Sequence, residues 1–233
     1  DQQPGDGGGD GGAKGGWQSG SSGGGNVNFN YAARRSVTLI MGASGSGKTT
    51  FGVKYLLNTE GVKFIWDPEG EWSDRLQIAP VSQPLALADA VPGGWVLFDP
   101  HPLFGERELE GLEFFADWVF EAAGMFEGRK QFVVDEVQDY MSSQKAPEGL
   151  RRIARRGRKR NLEFLGLSQR PAEINVALMN QRSEMVAMQL GGQADIDRLA
   201  QYGFKEDELK SLQPLEFISR SFEGVEMRGR VER

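Results

Sequence analysis

From residue 36 onward, short apolar runs alternate with amphipathic stretches. Val37–Met41, Val62–Trp66, Trp95–Phe98, Phe132–Val134 and Leu162–Leu167 are each of strand length and bounded by loop-forming residues. Between them, Lys48–Leu57, Glu106–Ala123 and Pro147–Gly157 have helical length and spacing. Phe114, Phe115, Trp118, Val119 and Ala122 fall on one helical face, which predicts a core-packing stripe. The last third is less regular. Glu184–Gln189 reads as a strand, Ala194–Tyr202 and Lys205–Ser211 as helices, and Leu215–Arg220 with Val225–Arg228 as a terminal hairpin. Strand–helix alternation of this kind predicts an α/β fold, a mostly parallel sheet with helices on both faces.

The first 30 residues break this pattern. They are mostly Gly, Ser, Asp, Asn and Gln with a lone tryptophan, Trp17, and residues 1–25 hold twelve of the chain's 32 glycines. Such a segment buries too little apolar surface to offset its ordering entropy. A disordered tail over 1–30 and one domain over 31–233 are therefore expected, the tail being either a solvated arm or a tether anchored by Trp17. The chain has 233 residues, 39% of them hydrophobic, enough for one domain with a real core. No run approaches the roughly 20 apolar residues that span a bilayer. The opening Asp1-Gln2-Gln3-Pro4-Gly5 has no basic or apolar stretch, so no secretory leader is expected. With no cysteine, disulfide and thiolate chemistry are excluded.

The net charge of −6 hides an asymmetry. Residues 151–160 carry seven of the 27 basic groups. The run admits three readings: a subunit interface, a surface that neutralises nucleic-acid phosphates, or a solvated helix face.

Three segments carry chemistry. Gly42-Ala43-Ser44-Gly45-Ser46-Gly47-Lys48-Thr49 fits the phosphate-loop (Walker A) pattern G-x-x-x-x-G-K-[ST], with a strand before it and a helix after it. Glycines let successive N–H groups turn toward phosphate oxygens, and the helix start adds its partial positive charge. Lys48 is expected on the β- and γ-phosphates and the Thr49 hydroxyl on Mg²⁺, with Thr50 next on the helix. Phe132-Val133-Val134-Asp135-Glu136 is an apolar strand ending in two acids, a Walker B pattern about 90 residues further on. Asp135 suits Mg²⁺, and Glu136 suits the polarising of an attacking water, which favours hydrolysis over phosphate transfer to a hydroxyl. Leu162–Leu167 leads into Ser168-Gln169-Arg170-Pro171, where Gln169 can sense a γ-phosphate.

Together with Asp67-Pro68-Glu69-Gly70-Glu71-Trp72 and Gly157-Arg158-Lys159, these segments resemble the HerA/FtsK superfamily of DNA-pumping ATPases over residues 36 to about 190. Ser168 stands where that family has threonine. The short forms without membrane helices, which this chain resembles most, are genome-packaging ATPases of membrane-containing icosahedral viruses. The resemblance implies a RecA-like (ASCE) P-loop fold with the Gln169 strand between those of the phosphate loop and Asp135. It implies ATP and Mg²⁺ as cofactors, ATP-driven translocation of double-stranded DNA, and a homo-oligomeric ring, a hexamer, with nucleotide at subunit interfaces. A capsid or membrane-vertex partner and a place in the virion or host cytoplasm follow from the same likeness. It also implies an arginine that reaches a neighbour's γ-phosphate. Alignment on Ser168–Pro171 gives Arg158, with Arg156 and Arg160 as competitors.

Two alternatives remain open on the sequence. One is an ATPase for DNA segregation, conjugation, secretion or assembly, and the other a nucleotide-gated binding module without turnover. His101, the only histidine, reads as loop structure. Asp67, Glu69 and Glu71 read as holding a turn, with Glu71 a secondary acid candidate.

Overall fold

The computed structural model describes residues 29–31, 33–141 and 146–232. Residues 1–28, including Trp17, lie outside the described residues, and so does the expectation of a disordered tail for them.

The chain runs β1 (Val37–Met41), α1 (Lys48–Leu57), β2 (Val62–Trp66), α2 (Glu71–Leu76), α3 (Pro84–Ala90), β3 (Trp95–Phe98), α4 (His101–Phe104), α5 (Glu108–Ala122), β4 (Lys130–Val134), α6 (Val137–Tyr140) and α7 (Glu148–Arg156). It continues β5 (Leu162–Ser168), α8 (Val176–Met179), β6 (Glu184–Ala187), α9 (Gln193–Ala200), α10 (Glu206–Ser211), β7 (Glu216–Ser221) and β8 (Glu226–Arg230). The eight strands form one sheet in the order β3-β2-β4-β5-β1-β6-β7-β8. The first six in that order run parallel, and β7 and β8 add an antiparallel hairpin to the β6 edge.

The apolar runs form buried strands because both sheet faces are covered. Successive side chains go to opposite faces. Phe64, Trp66, Val96, Phe98, Phe132 and Val134 pack with Leu112, Phe115 and Val119 of α5 on one face. Ile65, Leu97, Val133, Leu165 and Leu167 pack with Phe51, Tyr55 and Leu56 of α1 on the other.

Three details differ from the sequence expectation. Phe29, assigned to the tail, is only 4% exposed and packs edge-on against Phe51, Tyr55 and Phe217. An aromatic ring with three aromatic neighbours gains enough burial to be ordered, so the domain includes at least this residue. On α5 the buried stripe is Leu112, Phe115, Ala116, Val119 and Phe120, and Phe114, Trp118 and Ala122 sit half-buried at its rim. Phe120 is covered because Arg152 and Arg160 stack on its ring at 4.7 and 3.9 Å. β4 starts two residues earlier than its apolar run, at Lys130, whose ammonium donates to the carbonyls of Phe126 and Arg160.

The order β4-β5-β1 brings three strand ends together. Met41 pairs with Ser168, and Val134 with Gly166. Carrying that register on sets Glu136 level with Ser168, one residue from Gln169. The segments after β1, β4 and β5 thus meet at the carboxyl edge of the sheet, where ligands bind in open α/β folds.

Candidate nucleotide site at the carboxyl edge of the sheet

The 42–49 loop is held by backbone bonds on both sides. The Gly42 N–H donates to the Ser168 carbonyl at 3.0 Å, and the Ala43 N–H to Gln189 at 2.7 Å. Gly42 lies so close to its neighbours that a Cβ there would come within 2.6 Å of Ser46 Oγ and 2.9 Å of Met188 Cβ. Gly47, the residue before α1, has φ 107°, in the left-handed region, and a Cβ on it would meet Leu215 Cδ2 at 2.7 Å. Leu215 is a brace that the sequence does not reveal. Its N–H donates to Ser46 O at 2.8 Å, and its own φ of 71° is unusual for a branched residue. Nothing in Gln213-Pro214-Leu215 signals that role.

α1 opens without a side-chain cap, so its first N–H groups at Lys48, Thr49 and Thr50 have no partner from within the helix. Ser46 Oγ is buried without a hydrogen-bond partner among the described residues. Lys48 is 7% exposed, and its ammonium approaches the Ala43 carbonyl at 3.5 Å. Unpaired amides, a buried hydroxyl and one inward lysine are the donors that a polyphosphate would accept. Ser44 and Gly45 form the exposed tip of the loop.

Asp135 and Glu136 follow β4 at the same edge. Burial pushes the Asp135 carboxyl up to about 6. The Glu136 N–H and the Lys48 charge oppose that rise, while the Glu136 and Glu71 carboxylates add to it. Among the described residues no cluster of three acids or histidines is suited to a metal ion. Asp135 and Thr49 offer a sparse oxygen set instead. Mg²⁺ takes such a set when phosphates and water complete its shell, so these residues fit it. A cation beside Asp135 would restore the charge that burial disfavours.

Glu136 has φ 44° and ψ 47°, a left-handed conformation that costs on the order of 1–3 kcal/mol outside glycine. Its carboxylate is ringed by amide donors. Gln169 Nε2 donates to Oε1 at 2.6 Å, Gln138 Nε2 to Oε2 at 2.8 Å, and the Gln169 backbone N–H to Oε2 at 3.3 Å. Lys48, Asp135, Glu136 and Gln169 are therefore gathered at one edge. Gln138 joins them unannounced, since a glutamine at the start of a helix carries no sequence signal.

Arg158 lies elsewhere. It is exposed on the turn before β5, at the opposite, amino edge of the sheet. The seven residues of β5 span about 20 Å, so Arg158 cannot reach its own chain's loop. It lines a cleft of about 910 Å³ with Arg34, Arg129, Glu163, Arg182 and Glu184 among others. Of its competitors, Arg160 is engaged, bonded to Phe120 O and paired with Glu121 at 3.2 Å. Arg152 pairs with Asp117, and Arg151 with Glu148. Arg155, Arg156, Arg158 and Lys159 are exposed and pair with no acid among the described residues.

The remaining candidates make local contacts. Asp67 accepts from the Trp72 and Ser73 N–H groups at 3.0 and 2.8 Å and from the Ser73 hydroxyl, so it holds the turn into α2. Glu71 pairs with Arg75 at 2.9 Å. His101 opens α4 rather than lying in a loop, and its ring nitrogen is 3.2 Å from Asp99.

No protein-family model and no curated protein sequence matches this chain. Solved structures do. The genome packaging NTPase B204 of Sulfolobus turreted icosahedral virus 2, in complex with AMPPCP, matches with a TM-score of 0.64 at 14% identity, over 85% of this chain and 98% of that one. VirB4 of Thermoanaerobacter pseudethanolicus matches at 0.63 and 14%, over 84% and 89%. The bacterial conjugative coupling protein TrwBΔN70 matches at 0.56 and 11%, over 84% of each. With β5, which leads to Gln169, lying between β1 and β4, the chain has the RecA-like α/β fold of these P-loop ATPases.

Proposed function

We propose that the chain hydrolyses ATP and couples hydrolysis to the movement of double-stranded DNA, as in packaging a viral genome. One observation carries the reading: Lys48, Asp135, Glu136 and Gln169 converge on one edge of a sheet beside an uncapped helix start. Gly42–Thr50 and Lys48 bind the phosphates. Thr49 and Asp135 hold Mg²⁺, which would screen phosphate charge. Glu136 takes a proton from the attacking water, and Gln169 reports the γ-phosphate. Arg158 stabilises transition-state charge on a neighbour's nucleotide, which requires a ring, taken as a hexamer. Its distance from its own loop and its lack of an acidic partner support that role.

The free cations at Arg155, Arg156 and Lys159 support a surface that meets phosphates or a neighbour's acids. The test is ATP turnover with and without linear duplex DNA across a salt series. DNA is expected to raise turnover, with stimulation fading as salt rises. Turnover indifferent to DNA overturns the translocase reading. The likeness to VirB4 and TrwB favours a second reading, a conjugation-type ATPase, in which a protein partner alone would stimulate. No described helix is long and apolar enough to cross a membrane.

A further inference from the structure

We infer that Gln138 is a positioning residue for Glu136: it fixes Oε2 permanently, while Gln169 covers Oε1 and gives way when a γ-phosphate arrives. This rests on the reading of Glu136 as the group that takes water's proton.

The two glutamines are unequal. Gln138 is 5% exposed, within α6, and its Nε2 faces two acids, Glu136 at 2.8 Å and Asp139 at 3.5 Å. Carboxylate oxygens in that position accept, so the donor face of the amide is fixed. Its Oε1 is buried without a partner among the described residues, so the side chain is spent on this one task at the cost of an unmet acceptor. α6 is itself tied down. The Asp139 N–H donates to Glu136 O at 2.9 Å, the Met141 N–H to Val137 O at 2.7 Å, and the Asn175 N–H to Met141 O at 3.0 Å. Gln169 is half-buried at a strand end, followed by the exposed Arg170. Its side chain can turn while its backbone N–H stays on Oε2.

The chemistry needs that asymmetry. A water oxygen forms a bond to the γ-phosphorus as the bond from phosphorus to the β-bridging oxygen breaks and its electron pair leaves with ADP. The water's proton goes to Glu136 Oε1 and is later returned to the phosphate. With Gln169 Nε2 at 2.6 Å, Oε1 is already engaged. Once that amide turns to the γ-phosphate, Oε1 is open, and the direction of the carboxylate depends on what holds Oε2. The buried Gln138 provides this.

The test uses the full chain with Gln138→Met, which keeps the volume and removes the donor. Turnover is expected to fall about 10- to 100-fold, since a misdirected group costs rate more than binding, with KM for ATP within about twofold. Unchanged turnover, or a KM that rises as far as kcat falls, overturns the inference. Glu136→Gln is run alongside. If it hydrolyses normally, the underlying reading fails; if it is inactive while Gln138→Met is normal, only the present inference fails. A structure with a non-hydrolysable triphosphate gives an answer even if the methionine variant does not fold. The Gln138–Glu136 contact is expected to persist and the Gln169 side-chain contact to open; the opposite pattern overturns the assignment.

Discussion

The two edges of the sheet treat their carboxylates in opposite ways. At the amino edge, Glu163 is saturated. Its Oε1 accepts from Thr38 and Tyr55 hydroxyls at 2.6 Å each, and its Oε2 pairs with Arg129 at 2.8 Å. Glu184 pairs with Arg35 at 3.2 Å. Burial and the Glu163 charge push the Tyr55 phenol far up, which keeps it a neutral donor. At the carboxyl edge, Asp135 has a raised pKa and Glu136 is held by amides in a strained backbone. One set of acids is neutralised within the chain, and the other is left for a ligand to complete. A buried acid with a raised pKa and no ion pair among the described residues, in a loop-lined edge, marks function more than stability.

The largest effect should separate the arginines that sequence alone leaves competing. Arg158→Ala is expected to lower turnover by about 10³–10⁵, the range for a transition-state arginine, with little change in thermal unfolding. Arg160→Ala should do the reverse. It loses its stack on Phe120 and its bond to Phe120 O, costing about 1–3 kcal/mol of stability. If Arg158 acts in trans as proposed, turnover per chain should also rise with protein concentration. Equal turnover at all concentrations, or an Arg158→Ala chain of normal rate, breaks the contrast.

Next in size is the acid of the amino edge. Glu163→Ala strands the half-buried Arg129 and removes the acceptor of two hydroxyls. Breaking such a pair costs about 3–5 kcal/mol, read as a fall in Tm of about 10 °C. Glu136→Gln, by comparison, should leave Tm nearly unchanged while turnover collapses. If both variants unfold alike, the two edges are not divided as described.

Much of this was legible from residues alone. β1, β2 and β3 fall on the bounds of their apolar runs, because a strand buried on both faces admits little else. The sheet order that seats Gln169 between Lys48 and Asp135 came from resemblance, not from periodicity. Lys130 and Gln131 hid the start of β4, since a buried lysine bonded to two carbonyls looks like loop in a sequence. Leu215 and Gln138 were invisible for another reason. Leu215 acts through a contact far along the chain, a brace under Ser46 and Gly47, and Gln138 through a side-chain bond to Glu136 two residues before it, and neither residue type advertises these roles. The amino-edge cleft was equally hidden, being assembled from residues at both ends of the chain.

The smallest effect is also the most specific to the carboxyl edge. Asp135 titrates near 6 in the folded chain against an ordinary 3.8, so the folded state binds its proton more tightly than the unfolded state does. That contribution to stability is full below pH 3.8 and is lost as pH rises through 6, a change of at most about 3 kcal/mol. Asp135→Asn carries no such charge. Without nucleotide, the asparagine chain should therefore be the more stable of the two at pH 7 by about 1–3 kcal/mol, and the gap should close below pH 4. Denaturant titrations at the two pH values measure it. Adding ATP and Mg²⁺ should reverse the order at pH 7, because a cation selects the charged aspartate and finds no such partner in asparagine. An acid that destabilises its own fold until a metal arrives is what a ligand-completed edge requires, and a stabilising Asp135 at pH 7 without metal would place it with Glu163 instead.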